Sequence, residues 1–178
     1  MTDAELLSRS RVTPEIFGTV YERHAGAVFR FLSRRVGAAS AEDLLAEVFT
    51  TAFAARARFL PHESGSALPW LYGIAMNLVR GHLRRRQPSL SPVEVDVVDW
   101  SAVDDRLDAA ARRAELRVAL AALSPVEREL LLLVAWEGLA PSEAGAALGL
   151  TPTAARSRLH RARSRAQMAL GSPLERTT

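Results

Sequence analysis

The sequence predicts an all-α protein of two small helical domains joined by an acidic linker, with the second domain built on a helix-turn-helix. Three observations predict it. Ala and Leu are abundant while aromatics make up only 6% of the 178 residues, a balance that favours helices over sheets. Apolar residues recur at helical spacing on both sides of a stretch, Ser89 to Val103, that lacks it, holds Pro92 and follows directly on Pro88. Near the C-terminus a short helical segment, a Gly-containing turn and a long basic segment follow one another, the order of a helix-turn-helix.

Taken in order, Thr13-Pro14 announces the first helix with a capping hydroxyl and Pro at the first helical position. Ile16, Phe17, Val20, Tyr21, His24, Val28, Phe31 and Leu32 form its apolar stripe, and Gly37 ends it. Ser40-Ala41-Glu42-Asp43 opens the next helix with something close to a capping box and acids suited to the dipole. Leu44, Leu45, Val48, Phe49, Ala52 and Phe53 are its expected buried stripe, and Pro61 its stop. Beyond the loop His62 to Ser66, Trp70, Leu71, Ile74, Ala75, Leu78, Val79, His82 and Leu83 make one apolar face. Gly73, Asn77, Arg80, Gly81 and Arg84 make the opposite one, and the helix closes on Arg84-Arg85-Arg86.

After the linker, a helix is expected from about Asp105 to Ala122. Ser124-Pro125-Val126-Glu127 then opens another with a capping box, burying Leu130, Leu131 and Val134 and stopping at Gly138. A short helix over Ser142 to Leu148 leads to Gly149, placed for a left-handed turn. Thr151-Pro152 caps the last helix, which turns Ala155, Leu159, Ala162 and Ala166 inward.

Composition excludes several functions. There is no Cys, hence no disulfide, thiolate chemistry or Cys-ligated zinc. All 23 basic residues are Arg, so a Walker-type phosphate loop and Schiff-base chemistry are excluded too. The four His residues show no metal-ligand spacing, and no nucleophile, base and orienting group converge, so neither an enzyme nor a cofactor is expected. Met1 to Arg11 mixes charges and does not read as a signal peptide, and the longest apolar run, Leu130 to Trp136, is too short to span a bilayer. A soluble, cytoplasmic protein is expected.

The net charge of +3 hides a strong segregation. Four Arg and no acid lie between Arg80 and Arg86; six carboxylates face only Arg106 between Glu94 and Asp108; six Arg face one Glu from Thr151 onward. Two basic blocks around an acidic one point to nucleic acid. On residue type alone, Asp43 and Glu47 cap and solvate their helix, and Trp70 and Phe49 belong to the core. Asn77 is harder to treat as bland surface. It is a weak helix former in mid-helix, next to Arg80 and Arg84, on the face away from the apolar stripe.

Three stretches carry a resemblance: Ala41-Glu42-Asp43-Leu44-Leu45-Ala46-Glu47-Val48-Phe49; Pro69-Trp70-Leu71-Tyr72-Gly73-Ile74-Ala75-Met76-Asn77, continuing to His82-Leu83-Arg84-Arg85-Arg86; and Leu123-Ser124-Pro125-Val126-Glu127-Arg128 with Ser157-Arg158-Leu159-His160-Arg161-Ala162-Arg163. In that order and spacing they resemble the extracytoplasmic-function class of bacterial sigma factors, from about Phe17 to Arg165.

The resemblance implies a domain over residues 12–88 that docks on core RNA polymerase through Asp43 and Glu47. The same domain would read the minus-ten element with Asn77 on an unstacked base, and with Arg80, Arg84 and Arg85 on the backbone. It implies a linker over 89–104 lying in the polymerase cleft. A domain over 105–170 would read the minus-thirty-five duplex with Thr153, Arg156, Ser157 and His160 in the major groove and Arg158, Arg161 and Arg163 on phosphates. The partners implied are core polymerase, promoter DNA and an anti-sigma protein. Gly73 and Gly81 stand where the class often has a basic residue and Asp, and Ala154 and Ala155 where it has Thr and Val. The rival reading is a stand-alone dimeric helix-turn-helix regulator, which explains neither the Asn77 helix nor the acidic linker.

Overall fold

The structure, a computed structural model, describes residues 1–86 and 109–170. The chain forms two compact units, divided between Val103 and Asp104. The linker expected over 89–104, and the start of the helix expected from Asp105, lie outside the described residues.

The first unit opens on a helix ahead of any that apolar spacing predicts, α1 (Asp3–Arg9). Its cause is local: the Thr2 hydroxyl accepts from the Glu5 amide and the Glu5 carboxylate accepts from the Thr2 amide, a full capping box. Leu6 and Leu7 are buried, and Asp3, buried with them, ties α1 to the rest. It accepts from Arg23 Nη1 at 3.0 Å, from His24 Nε2 at 2.6 Å and from the Ala67 amide at 2.9 Å.

Thr13 makes no side-chain cap, because Pro14–Ile16 is a single 3₁₀ turn and α2 (Phe17–Val36) starts only after it. Gly37 ends α2 as expected and does more. At φ 77° and ψ 160°, open only to glycine, it donates to the Ser33 carbonyl and accepts from the Ala41 amide. It is therefore also the N-cap of α3 (Ala38–Ala55), and Ser40-Asp43 is not the start. One residue joins two helices. α3 gives way at Ala55 to a 3₁₀ turn over Arg56–Arg58, well before Pro61. Leu45 is half-buried and Phe53 is exposed on the rim of an edge-to-face cluster with Phe17, while Leu44, Val48, Phe49 and Ala52 form the stripe as expected.

α4 (Leu68–Arg86) is turned slightly from the expected face. Leu71, Tyr72, Ala75, Met76 and Val79 are buried, whereas Trp70, Ile74, Leu78, His82 and Leu83 are half-buried. The reason is that Tyr72 stacks on Phe31 of α2, centroids 4.7 Å apart, while Trp70 meets Phe59 edge-on at the margin. Tyr72 and Met76 lie outside the expected stripe and are buried in its place.

The second unit comprises α5 (Ala109–Ala121), α6 (Pro125–Ala135), α7 (Pro141–Ala147) and α8 (Pro152–Ala169). The Ser124–Glu127 capping box forms as expected. Within α6 the buried apolar residues are Leu130, Leu132 and Leu133, while Leu131 and Val134 are half-buried. A run of seven apolar residues carries no phase of its own, so packing against α8 decides it. Gly138 takes φ 69° just after α6.

Candidate nucleic-acid interface

α7 and α8 meet at Gly145. A Cβ there would lie 2.6 Å from the Ala155 Cβ, nearer than two carbons can sit, so only glycine lets the helices cross this closely. The turn between them is locked by backbone bonds from the Leu148 and Leu150 amides to the Gly145 carbonyl, at 3.0 and 2.8 Å, with Gly149 at φ 68°. Thr151 then caps α8 by accepting from the Ala154 amide at 3.3 Å. Short helix, glycine turn and long helix form the expected helix-turn-helix.

α8 buries small residues and exposes large polar ones. Ala155, Leu159 and Ala162 are buried, and Ala166, expected with them, is half-buried. Thr153, Arg156, His160 and Arg163 recur at three- and four-residue steps, so they share one face, and all four are exposed. Ser157 and Arg161 are exposed on the next row, with Arg161 Nη1 donating to Ser157 Oγ at 3.0 Å, and Arg158 is half-buried.

Two charged residues that the sequence reading passed over as contacts complete this helix. Arg165 Nη1 donates to Glu127 Oε2 at 2.9 Å, and Arg161 Nε lies 3.9 Å from Glu127 Oε1. Burial alone would raise the Glu127 carboxyl, but the Ser124 hydroxyl and amide and the charges of Arg165 and Arg161 outweigh it and hold the group below its ordinary value. Within α8 no acid is available to the arginines. The acid that serves them sits 38 residues away in sequence, which no spacing rule reveals.

In the first unit, Asn77, Arg80, Arg84 and Arg85 are all exposed along α4. Arg80 Nη1 donates to Asn77 Oδ1 at 3.4 Å, leaving the Asn77 amide nitrogen to donate outward, and Arg84 Nε donates to the Arg80 carbonyl at 3.3 Å. Gly81 adds no bulk beside them; a Cβ there would meet only the flexible end of Arg85, at 3.6 Å. Asp43 and Glu47 are exposed one turn apart on α3. The half-buried His82 of α4 feels both charge fields. Burial and the charges of Arg86 and Arg85 lower its proton affinity further than Glu47 raises it. Among the described residues no cluster of three or more His, Asp or Glu is placed to hold a metal, and no helix is long and apolar enough to cross a membrane.

Two family models match the chain: Sigma-70 region 2 over residues 20–88, and Sigma-70, region 4 over residues 113–165. The chain is 37% identical to the RNA polymerase sigma factor CarQ of Myxococcus xanthus over 160 residues, covering 88% of this chain and 90% of that protein. It is 28% identical to the ECF RNA polymerase sigma factor BldN of Streptomyces coelicolor, covering 89% of this chain and 62% of that one. Its fold is similar to that of CnrH, solved in complex with the cytosolic domain of CnrY, at a TM-score of 0.63 and 24% identity, covering 96% of this chain and 98% of that one.

Proposed function

Because the chain belongs to the sigma-70 family, in its extracytoplasmic-function class, and serves as a promoter-specificity factor of RNA polymerase, we propose the following division of work between its two units. The first docks on core polymerase through the acidic turn of α3, Asp43 and Glu47, and opens the minus-ten element with α4. Asn77 holds an unstacked base there through its free amide nitrogen, while Arg80, Arg84 and Arg85 hold the strand's phosphates. The second reads the minus-thirty-five duplex by laying α8 in the major groove, with Thr153, Arg156 and His160 toward base edges and Ser157 beside them. Arg163 at the rim meets phosphate, and Arg158 and Arg161 border that face.

One observation carries this division. The domains that matched models call region 2 and region 4 each expose one helix whose outward side is basic and almost free of acid. The protein performs no chemistry of its own in this reading. It acts where the polymerase acts, in the cytoplasm, and an anti-sigma protein is the partner class that would restrain it. The stand-alone regulator raised by the helix-turn-helix alone leaves the first unit without a role.

The test is run-off transcription from genomic promoter fragments by core polymerase with and without the protein. Specific transcripts appearing only with the protein support the proposal. Transcripts indifferent to it would contradict it.

A further inference from the structure

The row of α8 that borders its exposed face runs Ser157, Arg161, Arg165, at four-residue steps, so these side chains stand one above another. Two links in the row are made within α8 and across to α6. Arg161 Nη1 donates to Ser157 Oγ at 3.0 Å, and Arg165 Nη1 donates to Glu127 Oε2 at 2.9 Å. Arg161 Nε also lies 3.9 Å from the other oxygen of the same carboxylate. Glu127 is itself fixed: its side chain is 6% exposed, and Oε2 also accepts from the Ser124 amide at 3.1 Å and hydroxyl at 2.8 Å. The carboxylate that closes the α6 capping box is thus the anchor from which a row of α8 is held.

We infer that Glu127 and Arg165 are positioning residues for duplex recognition: they fix the direction in which α8 presents Arg161 and Ser157, and Arg165 itself touches no phosphate. The inference rests on the reading of the second unit as the minus-thirty-five reader. A buried, hydrogen-bonded carboxylate can orient a guanidinium, because the planar fork bonds in few directions. A half-exposed arginine already bonded to such a carboxylate is a poor phosphate ligand, since a phosphate would have to displace an ionised partner.

The test uses full-length protein assembled with core polymerase on a promoter fragment found by run-off transcription, with its upstream element intact or scrambled, over a salt series. Arg165→Gln, at a half-exposed position, keeps the fold and leaves the salt slope unchanged. It lowers the preference for the intact element about five- to tenfold, the lower part of what one base contact contributes. Glu127→Gln lowers the preference similarly, the double variant is no worse than either single one, and Arg165→Lys restores part of it. An Arg165→Gln slope lower by about one unit, with preference intact, would mean a phosphate contact and overturn the inference. Additive losses in the double variant would overturn it too. A wild-type holoenzyme indifferent to scrambling would instead overturn the reading of the unit, and the positioning role with it.

Discussion

Among the described residues, two helices carry most of the exposed arginines, and they anchor them differently. On α4 the bonds stay within the helix: Arg80 donates to Asn77 and Arg84 to the Arg80 carbonyl. On α8 one bond stays within the helix, from Arg161 to Ser157, and another crosses the fold, from Arg165 to a buried carboxylate of α6. Local bonds to a helix's own surface leave long side chains free to re-aim, whereas a tertiary bond to a buried anchor fixes direction. The difference suits the two proposed targets. An unstacked single strand has no fixed shape and rewards adaptable contacts; a duplex groove has a fixed shape and rewards pre-aimed ones.

In the proposed division of work both helices act only once the protein has docked, so the largest effect is expected from α3. Asp43→Arg with Glu47→Arg abolishes co-purification with core polymerase while the helical circular-dichroism signal stays intact. Unchanged co-purification would remove α3 from the account.

Within α8 the comparison sharpens. Arg156→Ala costs about 1–3 kcal/mol of discrimination between intact and scrambled minus-thirty-five elements. Arg163→Ala weakens both alike and lowers the salt slope by about one unit. Identical behaviour of the two variants in filter binding would erase the distinction between base reading and phosphate contact.

Much of this was legible in the sequence, and the gaps have physical causes. Capping boxes and glycine turns are local, so Ser124–Glu127, Gly37 and Gly149 declared themselves by residue type and spacing. The Thr2–Glu5 box was as legible and was passed over, because a seven-residue helix shows too little periodicity to draw notice. The phase of α4 and α6 was not local. Tyr72 faces inward because Phe31 waits for it, and the seven-residue apolar run of α6 offers no polar face to count from. The exposed residues of α4 and α8 stood out as charged and acid-poor, but the partner of Arg165 lies on another helix and leaves no mark in spacing.

A smaller effect is expected at Asp3, the buried carboxylate that anchors α1 as Glu127 anchors α8. Burial pushes the Asp3 carboxyl up, but the Ala67 amide, His24 and Arg23 outweigh it and hold it below its ordinary 3.8. A depressed folded-state pKa contributes stability that is complete above the unfolded value and lost as pH falls through the folded one. Asp3→Asn therefore lowers the melting temperature most above about pH 5, and the gap to wild type closes as pH drops below the ordinary carboxylate range. A gap constant from pH 7 to pH 3 would show that the Asp3 charge does not hold α1 in place.

The central claim, that α4 opens the promoter which α8 helps select, is tested most directly at Asn77. Holding one base out of the stack must offset a few kcal/mol of lost stacking and pairing, and Asn77 is an exposed amide in mid-helix, held by Arg80 with its nitrogen free to donate. Asn77→Ala removes no buried group, so fold, polymerase binding and minus-thirty-five preference stay near wild type. The measurement is permanganate footprinting of holoenzyme on a duplex promoter and on one already unpaired through the minus-ten element. Asn77→Ala is expected to lose most thymine reactivity on the duplex and little on the unpaired template. Equal reactivity of variant and wild type on the duplex would contradict it.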